Sequence, residues 1–333
     1  MAKKPNRVLV RLFRGEALEA QHRGALVVLE NGRVVLAAGD YDSPTYLRSA
    51  AKPFQTTAAL KTGIASALEL ELADIALISA SHSGEPAQVE RVRRLLERGG
   101  FTEADLRCGA HPPAGPSALA ALIRSGAPPG ALHNNCSGKH AGMLLSARQL
   151  GADPGTYFEP DHPVQRGILE VVKSVCELDA SQPTLATDGC SVPTFRMPLR
   201  NLALGFQNAA NPELADPRFQ QELAAVRNAV TAHPEMVAGK NRIDTNLIRA
   251  GGGRFFSKIG AEGVMACGIP ERRIGIAIKI DDGAARGYQP LMLAVLDRLE
   301  LLTPEDRQAL STYMDPVLRN HAGRPVGEIR VDL

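Results

Sequence analysis

Apolar positions at the start of the chain fall in short runs rich in valine and leucine, not at helical spacing. Arg7–Phe13 and Ala25–Leu29 read as strands, and Asn31-Gly32 predicts a tight hairpin turn into a third strand, Arg33–Ala38. Asp40–Tyr46 is polar and reads as loop. Helical spacing follows over Ser49–Lys61, with Pro53 tolerated only in the first turn and Gly63 as the stop. Asp74–Ala80 is a short apolar run, read as a strand leading into the polar turn Ser81-His82-Ser83-Gly84. Ala87–Gly99 is a helix whose Arg91, Arg93, Arg94 and Glu97 predict a solvated face.

The middle of the chain changes character. Cys108–Leu132 is rich in Pro, Gly and Ala, with one short helix near Ser117–Ile123, and suits a lid or an excursion from the core. Helices are expected over Gly138–Leu150, Pro160–Leu178 and Phe219–Ala232. Strands return at Arg254–Ile259, Gly263–Cys267 and Arg273–Ile280, and helices at Gln289–Leu302 and Pro304–Met314 close the pattern. No internal repeat or long linker divides the chain, so residues 1–333 are expected to form a single domain. N- and C-terminal strands sharing one antiparallel sheet around a helical region give an α/β (α+β) arrangement of the serine β-lactamase type, a pattern that several α+β folds share.

Composition narrows the function classes. Charged residues make up 22% of the chain and the formal net charge is +2, with Lys and Arg scattered, so nucleic acid is a poor partner. Aromatics are only 4%, which disfavours base or sugar stacking. Arg7, Arg11 and Arg14 interrupt every apolar run near the start, and no stretch approaches the roughly 18 apolar residues of a membrane span. The expectation is a cytoplasmic protein without a signal peptide or membrane association. Five cysteines, an odd count, argue against a disulfide framework and leave buried thiols, metal ligands or reactive thiols.

Five stretches carry candidate chemistry. In Ser49-Ala50-Ala51-Lys52, helical spacing puts hydroxyl and amine on one face, and a serine needs such a neighbouring base to become a nucleophile. Ser-x-x-Lys also recurs by chance, and Ser49 equally suits a helix N-cap. Lys258-Ile259-Gly260 sits on a predicted strand; Ser-x-x-Lys early and Lys-x-Gly late is the order of penicillin-recognising enzymes. Ser79–Gly84 has the polar density of an active-site loop or of an ordinary hydroxyl-bonded turn. His133-Asn134-Asn135-Cys136-Ser137-Gly138-Lys139-His140 opens a helix, where anions are favoured and a cysteine pKa falls, although capping residues cluster there too. In Ala186–Ser191, Asp188 suits an ammonium group, and Cys190 is either a buried structural cysteine or a partner of Cys136 on a soft metal.

Taken in order, Arg48–Gln55, Ser81–Glu85, Asn134–His140, Thr187–Cys190 and Lys258–Gly263 resemble the asparaginase II family of the rhizobial, inducible type, over nearly the whole chain. The resemblance implies a fold similar to serine β-lactamases and glutaminases, a homodimer, and two serine–lysine tandems, Ser49 with Lys52 and Ser81 with Lys258. It implies a metal site at Cys136, Lys139 and Cys190, with zinc the expected ion. A family cysteine near that metal corresponds here to Asp244, a harder oxygen donor, so partial zinc occupancy is expected. The implied reaction is hydrolysis of L-asparagine to L-aspartate and ammonia through an acyl-enzyme. Arg48, Asn135, His140 and Asp188 are the substrate-binding candidates, Arg48 for the α-carboxylate and Asp188 for the α-ammonium. A glutaminase, a β-lactamase-like acylase, or a metal-binding or ligand-sensing module without turnover are the rival readings.

Overall fold

The chain is described from a computed structural model over residues 5–314 and 316–333; Met1–Lys4, part of the basic start of the sequence, and Asp315 lie outside the described residues. The strands are β1 (Arg7–Arg14), β2 (Ala17–Glu30), β3 (Arg33–Ala38), β4 (Pro44–Tyr46), β5 (Thr184–Thr187), β6 (Pro193–Pro198), β7 (Phe256–Ile259), β8 (Val264–Ile269), β9 (Ile274–Ile280), β10 (Val317–Arg319) and β11 (Pro325–Val331). They build an eight-stranded sheet in the order β10-β11-β1-β2-β9-β8-β7, with β3 also on β2, and a small sheet β4-β6-β5. Every pairing in both is antiparallel. The α/β arrangement expected from the sequence, with its sheet drawn from both ends of the chain, is present.

The β2–β3 hairpin is dictated locally. Glu30 pairs with Arg33, and both intervening residues have positive φ, Asn31 at 49° and Gly32 at 74°, as a primed two-residue turn requires. Strand β2 runs longer than the apolar run suggested. Its second half pairs without interruption with β9, from Gly24 with Ile280 to Glu30 with Ile274. Alternation divides its side chains between two cores: Ala25, Val27 and Leu29 face the large helical block, and Leu26 and Val28 face the helix Ala285–Arg298.

The helix Leu199–Ala210, absent from the sequence reading, lies directly on the sheet. A Cβ on Gly275 would fall 1.9 Å from the Ala203 carbonyl oxygen, so only glycine lets the helix backbone seat there. A second difference is Asp74–Ala80, read as a strand but forming the helix Leu72–Ile78. Short apolar runs do not distinguish the two by period. Capping decides: the Asp74 carboxylate accepts from Glu71 N–H at 3.0 Å and is paired with Arg91 and Arg98. The helix Ile243–Gly251 and the strands β4, β5, β6, β10 and β11 were also not anticipated. Among the described residues no helix is long and apolar enough to cross a membrane.

Candidate active site

The small sheet aims one side of the site. Leu47 N–H donates to Phe195 O of β6 at 2.9 Å, and the next residue, Arg48, turns the chain with φ of 49° into a 3-10 turn, Arg48–Ala51, that runs into the helix Lys52–Lys61. A positive φ at a non-glycine residue is strained and is held by its surroundings. Arg48 is held by Asp188, just past β5, with Nε 2.6 Å from Oδ1. Burial works against the Asp188 charge, but Lys139 and Arg48 outweigh it and hold the carboxyl below its usual range.

Lys52 is only 1% exposed. Its Nζ contacts the carbonyl oxygen of Ala80, Ser81 Oγ at 3.0 Å and the carbonyl oxygen of Asn135 at 3.2 Å. The resemblance pairs Lys52 with Ser49; the hydrogen bond found is to Ser81. Burial lowers the Lys52 pKa from 10.5, in part opposed by Cys136. As a neutral amine, Lys52 has two N–H groups for the two carbonyls, which leaves its lone pair directed at the Ser81 hydroxyl. The loop carrying Ser81 is pinned to the helix Ser137–Gln149, with His82 Nε2 2.8 Å from Ser137 Oγ and His82 Nδ1 accepting from Gly84 N–H at 3.1 Å. Burial pushes the His82 pKa down to about 3, so the ring is neutral and Nε2 carries the proton that Ser137 receives.

Cys136, Lys139 and Cys190, on the start of the helix Ser137–Gln149 and just past β5, are brought together in the fold. Lys139 Nζ lies 2.9 Å from Cys190 Sγ, and Cys136 Sγ lies 3.2 Å from Asn135 Oδ1. A hydrogen bond from Cys190 and the charges of Lys52 and Lys139 lower the Cys136 pKa despite burial, while Cys190 is raised. Burial disfavours the Lys139 charge, but the two sulfurs outweigh it and raise its pKa. All five cysteines are free and buried. Among the described residues no three His, Cys, Asp or Glu side chains come together as a metal cluster. The two thiols are completed by an amine instead, a donor set that fits a zinc-type ion once Lys139 gives up its proton.

Asp244, expected beside that cluster, is committed elsewhere. Its Oδ1 accepts from Ser257 Oγ at 2.9 Å, and its Oδ2 accepts from Ile259 N–H at 3.0 Å and lies 3.5 Å from Lys258 Nζ. Lys258 also donates to Ile259 O at 2.9 Å. Burial pushes its pKa down to about 8, against the pull of Asp244. The hydrogen bonds of Lys258 therefore run to β7 and Asp244, where the resemblance pairs it with Ser81.

Ser49, Ser81, Asn135, Arg242, Gly260 and Tyr288 share one open cleft of about 240 Å³. That is below the roughly 300–1,000 Å³ typical of drug-sized ligands and suits a small molecule. Gly260 brings β7 close to the Arg48 turn: a Cβ there would lie 2.4 Å from Leu47 O. Arg242, unassigned in the sequence reading, is a cation on the cleft wall whose Nη1 lies 3.3 Å from Ser83 Oγ; a lone arginine in a polar loop gave no signal. His140 is buried and does not line that cleft; its Nδ1 lies 2.6 Å from Tyr157 Oη. A larger opening of about 810 Å³ is lined by Arg7, Arg11, Arg23 and Arg298 with no serine, cysteine or histidine, whereas the smaller cleft holds both Ser49 and Ser81.

The L-asparaginase II family profile matches residues 10–331. The chain belongs to that family. Family membership makes the chain an amidohydrolase. No curated protein is matched by sequence. Among solved structures, a β-lactamase from Mycobacterium bovis is similar at 16% identity, covering 83% of this chain and 94% of that one, with a TM-score of 0.44. Mglu in its native form in 4.3 M NaCl is 16% identical over 84% of this chain and 62% of that one, TM-score 0.40. Mglu in its tris and glutamate form is 13% identical over 89% and 63%, TM-score 0.41.

Proposed function

We propose that this asparaginase II family member hydrolyses the side-chain amide of L-asparagine to L-aspartate and ammonia through a serine acyl-enzyme. The observation that carries the reading is the 3.0 Å contact between the buried Lys52 amine and Ser81 in a cleft shared with Ser49. Neutral Lys52 takes the Ser81 proton as Oγ attacks the amide carbon, and the resulting ammonium returns it to the leaving ammonia. Water then cleaves the ester. The Ser81 N–H already donates to Val237 O at 2.9 Å, so the donors that hold the tetrahedral oxyanion come from other groups of the cleft. Ser49, on the facing turn, is the second hydroxyl in reach of the same substrate.

Arg48 and Asp188 are paired with each other and line a separate small pocket that shares Ser49 with the cleft, so Arg242 supplies the cleft-lining cation for the α-carboxylate. Cys136, Cys190 and Lys139 would hold a zinc ion, which when bound supplies a fixed positive charge beside Lys52. Ammonia release from purified protein offered L-asparagine, L-glutamine and a chromogenic lactam tests the reading. Asparagine is expected to be the best substrate, with an ester adduct on Ser81 detected by mass spectrometry. Binding of asparagine with no ammonia released refutes turnover and favours a ligand-sensing module.

A further inference from the structure

Asp244, which the resemblance places beside the metal site, has surroundings that give it another role. It lies in the first turn of the helix Ile243–Gly251 and is fully buried. Both carboxylate oxygens are engaged by three consecutive residues of β7: Ser257 Oγ at 2.9 Å, Lys258 Nζ at 3.5 Å and Ile259 N–H at 3.0 Å. A buried carboxylate satisfied in this way has no free lone pair aimed at the thiols, and drawing it to a metal would strip a main-chain N–H and a hydroxyl of their acceptor. Ile259 and Gly260, immediately after the clamped lysine, line the cleft.

We infer that Asp244 is a positioning residue for Lys258: its carboxylate staples the helix Ile243–Gly251 to β7 and fixes where the Lys258 amine stands beside the cleft, in place of a role as metal ligand. The inference rests on the reading of the cleft as the reactive site. A free lysine has four rotatable bonds; here Asp244 and Ile259 O take two of the three amine directions and leave one. The charged and titratable groups around the pair are Lys52 and Arg242, which act on Lys258, and Cys267 and Tyr288, which feel Asp244. Asp244 is the one among these that favours the ammonium.

The test is Asp244→Asn, which keeps the shape and removes the charge. The Lys258 titration is followed by NMR of protein carrying ¹³Cε-labelled lysine, assigned with Lys258→Met. An opposite charge at this range shifts a pKa by about 1–3 units, so the Lys258 midpoint is expected to move down by about one pH unit or more. On L-asparagine, kcat is expected to fall at least tenfold with KM within about threefold. Asp244→Glu, which restores the charge, is expected to bring the midpoint back toward that of the unaltered protein and serves if Asp244→Asn does not fold. An unmoved Lys258 midpoint in Asp244→Asn overturns the inference, as does loss of bound zinc from Asp244→Asn to the extent seen in Cys136→Ser. The titration does not depend on turnover, so an enzyme inactive on asparagine refutes the proposed function and leaves this measurement to decide Asp244.

Discussion

Replacing Lys52 by methionine separates chemistry from folding. The stem stays, and the amine with its contacts to Ala80 O, Ser81 Oγ and Asn135 O is lost. A proton-transfer group is worth about 10²–10⁴-fold, or about 2.7–5.5 kcal/mol of barrier, and turnover is expected to fall by that factor. Stability is pulled both ways. Two carbonyls lose a buried donor, at about 1–3 kcal/mol each. Against this, a buried amine whose charged form the fold already disfavours is removed. The two effects offset, so Tm is expected to move by only a few degrees. Lys52→Arg is the control: it keeps N–H donors but stays protonated and cannot act as a base at any working pH. Coupled ammonia assays beside calorimetry read both quantities. Turnover within tenfold of the unaltered enzyme in either folded variant refutes Lys52 as the base.

Activity is expected to rise between pH 7 and pH 9, because Lys52 takes the Ser81 proton only as the neutral amine, which burial favours and rising pH accumulates; Lys258, whose pKa burial pushes from 10.5 to about 8, adds a stability effect. The sign for stability is the same: between pH 8 and 10.5 the unfolded chain binds the proton that the folded lysine has lost, so this lysine's contribution becomes less favourable as pH falls across that window. A rate profile falling over the same range, with the protein folded, contradicts it. Gly260→Ala is expected to lose about 1–3 kcal/mol of stability and to raise KM for asparagine, since its Cβ would meet Leu47 O at 2.4 Å and displace the Arg48 turn; unchanged melting and KM disprove that packing argument. Elemental analysis of protein never exposed to chelator is expected to find zinc below one equivalent, lost in Cys136→Ser and in Cys190→Ser; full retention in both removes these thiols from the metal site.

The strands and the reactive stretches were legible because each is a local signal. Asn31-Gly32 between apolar runs has one inexpensive backbone solution, and Ser49-x-x-Lys52 and Lys258-x-Gly260 are readable as spacings. The partners of those lysines were not. Lys52 meets Ser81 across 29 positions, and Lys258 meets Asp244 across 14, through contacts that only the tertiary fold creates. Asp244 was read by analogy with a metal-site cysteine, whereas a carboxylate at that place finds a lysine, a serine and a main-chain N–H. Leu72–Ile78 defeated a reading by period because its helical identity rests on the Glu71 and Asp74 cap. The three-residue β10 and the Arg-, Gly- and Pro-bearing β11 lack a clear alternation, so the pairing of β11 with β1 and of β10 with β11 defines them.

Strand β2 takes its central partner β9 from roughly 250 residues further along the chain. At about 5–20 residues per second of synthesis, β9 follows β2 by roughly 12–50 s. Throughout that interval the apolar run Ala25–Leu29 has a hairpin neighbour in β3 on one edge and nothing native to cover the other. The growing chain therefore exposes an open, valine-rich edge until the last third of the sequence supplies β9, and an unpaired apolar edge of this kind is a template for pairing with another chain.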